Sequence, residues 1–147
     1  MSETQSIIVE KTVAHAPEKI WRTLTQSALI AKWLMPNDFE ATVGHRFTFT
    51  TKPMGDWDGI VRCEVLDCDP PRLLRYSWKG GSDANPRYGS RLDTIVTWTL
   101  TLADGGTHVR MEHSGFRLPQ NQSAWDAMTP GWGHVLDGIA RVTAENI

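Results

Sequence analysis

Apolar residues recur along this chain in two rhythms, a period of two and a period near 3.6, and the change from one to the other gives the order of elements. Ile7 to Val13 alternates and reads as a first strand. Pro17 suits the first turn of a helix whose apolar face is Ile20, Trp21 and Leu24. Ser27 is placed to cap a second short helix, which runs to Trp33 or Leu34 before Pro36 stops it. Phe47 and Phe49 then alternate with Arg46, Thr48 and Thr50. From about Gly59 to Cys68, Val61, Cys63 and Val65 fall on one strand face, and Ile60, Arg62, Glu64 and Leu66 on the other. Asp69-Pro70-Pro71-Arg72 must turn, because proline cannot continue a ladder. Leu73 to Trp78 returns, with Tyr76 and Trp78 on one face. Residues 79–91 are rich in Gly, Ser, Asn and Pro and read as a mobile loop.

The last third is a hairpin followed by a helix. Thr94 to Leu102 and Thr107 to Phe116 flank the turn Asp104-Gly105-Gly106. Thr94, Val96, Trp98, Leu100 and Leu102 share one face of the first strand; Val109, Met111 and His113 share one face of the second. A segment opening near Trp125 shows Met128, Trp132, Val135, Leu136, Ile139 and Val142 at helical spacing. Pro130 and Gly131 inside it predict a kink, or a break with a restart. The fold class that follows is α+β: a curved antiparallel sheet of about six or seven strands wrapped around a long C-terminal helix, with two short helices after the first strand. At 147 residues, with no repeat or linker, residues 1–147 are expected to form a single domain.

Composition narrows the function classes. The net charge is −2, with acids and bases mixed along the chain, so no nucleic-acid footprint is present. No apolar run approaches the roughly 20 residues that membrane insertion needs. Residues 1–6 lack the basic start and apolar core of a signal peptide, so a cytoplasmic protein is expected. Cys63 and Cys68 fall on opposite faces of one strand and lack zinc-site spacing, so neither a disulfide nor a metal is expected, and no cofactor is implied. The 7 Trp are the unusual feature: side chains this large can fill a core or line a pocket.

Several stretches carry a family resemblance. They are residues 106–116 (GTHVRMEHSGF) with Gly131-Trp132 and Leu136, residues 16–25 (APEKIWRTLT) with Ala31-Lys32-Trp33, and residues 64–73 (EVLDCDPPRL) with Tyr76-Ser77-Trp78. In this order they resemble the domain named after the activator of the heat-shock-protein-90 ATPase, of the START-like, Bet v 1-like superfamily. That resemblance implies the helix-grip fold and a cavity between sheet and final helix. The superfamily holds carriers, sensors, cyclases and co-chaperones, so it leaves function open. The eukaryotic activators carry an additional N-terminal domain that this chain does not show, and chaperone interaction is therefore not the leading expectation.

The concave sheet face and the helices would enclose that cavity. Alternation selects Phe47, Phe49, Trp98, Met111 and His113 from the sheet, and Tyr76 with Trp78 as one facial pair. The final helix adds Met128, Trp132 and Leu136; Trp33, Met54 and Trp57 would form the mouth. Residues 54–57 and the loop 79–91 would gate access. Apolar walls with few polar groups suit a hydrophobic or aromatic small molecule, such as a lipid, polyketide or related metabolite. The competing outcome is that these residues fill an ordinary core. His113 is the polar candidate: it either moves a proton, with Tyr76 or a carboxylate as partner, or is a structural histidine bonded to backbone near Ser114-Gly115. A cyclase or isomerase on the same scaffold and a stress-response role through protein partners remain alternatives, and a homodimer is compatible with the size. Arg62, Glu64 and Arg75 form either a buried ligand-orienting cluster or a solvated outer face, and His134 with Asp137 can pair along the last helix. No phosphate loop, His-Glu-x-x-His motif or Gly-x-Ser-x-Gly elbow occurs.

Overall fold

Strands and helices in the computed structural model follow this order, and residues 3–53, 57–85 and 89–145 are described. The elements are β1 (Glu3–Val13), α1 (Pro17–Thr25), α2 (Ser27–Trp33), β2 (Arg46–Thr50), β3 (Ile60–Asp69), β4 (Leu73–Gly80), β5 (Leu92–Ala103), β6 (Gly106–Leu118) and α3 (Gln122–Glu145). The six strands form one curved antiparallel sheet in the order β1-β6-β5-β4-β3-β2. The chain thus closes its first strand against its last and leaves β2 at the far edge. Register shifts at Gln5/Ser6 in β1 and between Val65 and Asp67 in β3 are bulges, which bend and twist a sheet. The β5–β6 hairpin turns in two residues, with Gly105 at φ 77°, a backbone conformation that only glycine adopts cheaply.

α3 lies on the concave side and buries Ala124, Trp132, Leu136, Ile139 and Val142. Its start is tied at two points. Asn121 bonds Arg91 O and Ser90 Oγ through its amide and accepts from Arg117 N–H, and Trp125 Nε1 donates to Ser6 O. α1 and α2 pack on the other end of the helix, where Gly138 lets the backbone of α3 approach Trp33. No helix among the described residues is long and apolar enough to cross a membrane.

Three local expectations are corrected and a fourth is narrowed. α3 runs unbroken through the exposed Pro130, so the expected break with a restart does not occur. Ser27 is the first helical residue of α2 rather than its cap: Gln26 takes the cap position and Ser27 Oγ donates to Asn37 O. Leu102 lies beyond the edge of the core and is 77% exposed. Asp137 pairs across to Lys11 of β1 at 3.2 Å, not along the helix to His134.

Candidate functional site

The inward faces of β4, β5 and β6 bring Trp78, Thr94 and His113 together beneath Trp132 of α3. Trp132 Nε1 donates to His113 Nδ1 at 3.1 Å. An indole nitrogen only donates, so Nδ1 is the acceptor and the proton of the neutral ring sits on Nε2. His113 Nε2 therefore donates to Thr94 Oγ1 at 2.7 Å, and Thr94 Oγ1 donates in turn to Trp78 O at 2.8 Å. Every link has one donor and one acceptor. His113 is fully buried, and burial pushes its pKa down to about 3. Its partners in this chain are side chains, not the backbone near Ser114, and neither ring nitrogen is left for a substrate. Thr94, a polar residue on an otherwise apolar strand face, was the sequence signal for such a partner.

Tyr76 is held similarly. Its hydroxyl accepts from Trp98 Nε1 at 3.0 Å, and burial raises its pKa, so the phenol stays protonated. Burial likewise raises the thiol pKa of Cys63, with Asp38 adding to the effect, and burial also raises that of Cys68; both cysteines are free thiols without thiolate character.

A continuous series of ring contacts fills the space between sheet and helices. It passes from Trp33 to Trp98, Trp132, Trp78, Phe49, Phe47 and Phe39, with neighbouring centroids 5.0 to 5.9 Å apart. Phe47, Phe49, Tyr76, Trp98, Met111, His113 and Leu136 all lie within this packed body. Trp33, expected at the mouth, is buried there too and donates its Nε1–H to Thr23 O at 2.9 Å.

Toward one end of α3 the described residues leave an apolar crevice of two lobes. The first, about 130 Å³, is walled by Met35, Thr51, Trp57, Val61, Trp78, Leu92, Met128 and the backbone around Gly80, Gly81, Gly89 and Ser90. The second, about 160 Å³, is walled by Leu34, Met35, Trp78, Ala127, Met128, Gly131, Trp132 and Val135. Met35, Trp78 and Met128 belong to both. Of the side chains selected from sequence, Trp57, Trp78, Met128 and Trp132 line this crevice, while the seven in the packed body line neither lobe. Met54, also expected at the mouth, lies outside the described residues, as do residues 55, 56 and 86–88 of the two expected gates. Leu34, Met35 and Leu92 were not anticipated as wall residues; Leu34 and Met35 fall between a helix stop and a proline, where no periodicity marks a face.

Larger depressions of about 500 and 670 Å³ run over the outer surface. Most of their charged side chains pair with one another, Arg62 with Asp58, Lys79 with Asp93 and Arg91 with Asp83, while Arg117 lines the second without such a pair among the described residues. The Ile60 N–H and the Arg62 guanidinium hold the Asp58 carboxyl below its usual range. Arg62, Glu64 and Arg75 occupy the outer sheet face, where Glu64 meets Arg46 and Arg75 meets Asp67; they form no buried cluster. Among the described residues no group of His, Cys, Asp or Glu is arranged to hold a metal ion.

A family model described as Activator of Hsp90 ATPase homolog 1-like protein matches residues 14–144. No curated protein matches the sequence. The solved protein MLL2253 from Mesorhizobium loti is similar over 97% of this chain and 99% of its own, at 39% identity and a TM-score of 0.84. The Aha1 dimer from Colwellia psychrerythraea shares the fold at 19% identity and a TM-score of 0.72, over 92% of this chain and 93% of that one. DynU16, a protein of the dynemicin biosynthetic locus, shares it at 21% identity and a TM-score of 0.72, over 92% of this chain and 46% of that one.

Proposed function

Taking as premise that the chain belongs to the Activator of Hsp90 ATPase homolog 1-like family, we propose that it is a binding protein for a hydrophobic or aromatic small molecule, held in the crevice between the sheet and α3. The observation that carries this reading is the two-lobed crevice itself, walled by Trp57, Trp78, Trp132 and two methionines, with no charged side chain among the described residues that line it. Its mechanism is shape-selective burial, worth about 25 cal/mol per Å² of apolar surface before ordering costs. Met35 and Met128, unbranched and only half-buried, are suited to adapt to the occupant. An enzyme built on His113 and Tyr76 finds no support, because both nitrogens of the one and the hydroxyl of the other are engaged inside the packed body.

Native mass spectrometry of the protein purified gently from its own host tests the binding reading. An excess mass that vanishes on denaturation is expected. A bare mass, together with no response of crevice resonances to small aromatic probes, would overturn it; the same spectrum separates monomer from homodimer. The family description favours a second reading, a co-chaperone acting on the heat-shock-protein-90 ATPase. Unchanged ATPase turnover on mixing the two proteins would remove it.

A further inference from the structure

Trp78 differs from the other four buried indoles. Trp33, Trp57, Trp98 and Trp132 each donate their Nε1–H to a protein acceptor, as does the half-buried Trp125, while the half-buried Trp21 shows no acceptor among the described residues. Trp78 Nε1 has no such acceptor among the described residues, although the side chain is only 4% exposed. Every fully enclosed side-chain nitrogen or oxygen among the described residues does have a partner. The Trp78 N–H is therefore not fully enclosed, and Trp78 lines both lobes of the crevice.

The ring cannot turn away to find a partner. Phe49 packs on it at 5.3 Å, His113 at 5.3 Å and Trp132 at 5.6 Å between centroids, and all three are themselves buried. A rigid donor at the wall of an apolar slot favours an occupant that brings an acceptor, because leaving the donor unmatched after desolvation is costly. The lining residues among those described include no Lys, Arg or His to neutralise an anion. A carboxylate would lose its hydration without gaining a counter-charge. Each lobe is of the size for one ring: a cavity of about 150 Å³ with apolar walls takes one benzene, and the lobes are about 130 and 160 Å³.

We infer that the crevice selects a neutral, one-ring aromatic ligand carrying a carbonyl-type oxygen, which accepts the Trp78 Nε1–H. The inference rests on the binding reading above and narrows it: free fatty acids and aromatic acids are excluded, and small aromatic ketones, aldehydes or esters are admitted.

Three probes of nearly the same shape test it: acetophenone, its hydrocarbon isostere α-methylstyrene, and benzoate. Each is titrated into the full chain while ¹H–¹⁵N spectra follow the indole and crevice resonances. Acetophenone is expected to bind roughly five- to tenfold more tightly than α-methylstyrene, to move the Trp78 indole N–H downfield, and to outcompete benzoate. Trp78→Phe should equalise the two neutral probes while keeping both bound. Equal affinity of ketone and hydrocarbon for the native protein, with an unmoved Trp78 indole signal, would sink the donor role and leave the binding reading intact. Preferential binding of benzoate would overturn the exclusion of anions. Silence of every crevice resonance toward all three would bring down the binding reading itself. The native-protein titrations decide the matter even if Trp78→Phe does not fold.

Discussion

Between pH 6.5 and about 3 the unfolded chain protonates His113 and the folded one does not, because the ring is buried and its Nδ1 already faces the Trp132 N–H. The unfolded state therefore binds more protons in that window, so the stability this group contributes is complete above pH 6.5 and is lost as pH falls. The expected slope is about 1.4 kcal/mol per pH unit. Urea unfolding of the native protein and of His113→Gln at pH 7, 6, 5 and 4 measures it. An amide at this position can accept from Trp132 and donate to Thr94 but cannot titrate, so the variant should lack that part of the acid sensitivity. Thr94→Val removes the acceptor of the His113 Nε2–H and the donor to Trp78 O, and should cost about 1–3 kcal/mol at neutral pH. A cost near zero would mean that the chain of bonds does not hold the core together.

At the scale of elements, α3 carries Pro130 and three glycines, all of poor helix propensity, and for Pro130, Gly133 and Gly138 the surroundings decide differently. Pro130 is exposed and its ring touches no core, so Pro130→Ala should stabilise the helix, by at most about 3 kcal/mol. A Cβ at Gly133 would meet nothing within 4 Å, and Gly133→Ala should add up to about 1 kcal/mol. A Cβ at Gly138 would already touch Trp33 Cβ at 3.4 Å, so Gly138→Val should overpack the α2–α3 contact and cost about 1–3 kcal/mol. Melting curves of the three variants should move in two opposite directions. The same helix shows how far periodicity reaches. Its apolar stripe from Trp132 to Val142 is legible in sequence, because helical spacing alone defines a face. Its continuity through Pro130 is not, because whether a lost hydrogen bond breaks a helix depends on whether water reaches the freed carbonyl.

For the whole molecule, the central question is how the large aromatics divide between filling and lining. Trp98 lies inside the packed body, and Trp98→Ala should cost about 3–5 kcal/mol in urea unfolding, as a large buried deletion does. Met128 stands between the two crevice lobes at half burial, so Met128→Trp should fill both, preserve the fold and abolish α-methylstyrene binding in the NMR titration. Binding undiminished in that variant would place the ligand elsewhere.

The sequence by itself determined the elements and the inward faces of its strands, since a period of two fixes each side chain's side of the sheet once one is known. It also carried the family, through short stretches in fixed order. It could not decide whether Phe47, Trp98 and His113 line a space or occupy it. That depends on where residues far apart along the chain come to rest: His113 meets Thr94 across a strand register, and meets Trp132 only after α3 docks. Docking brings Trp132 within 6 Å of both Trp78 and Trp98 and so adds it to the packed body, and a crevice stays open at one end of the helix, beside Trp78, the buried indole whose N–H finds no partner among the described residues. Volume and hydrogen-bond pairing are properties of three-dimensional neighbours, and no one-dimensional pattern encodes them.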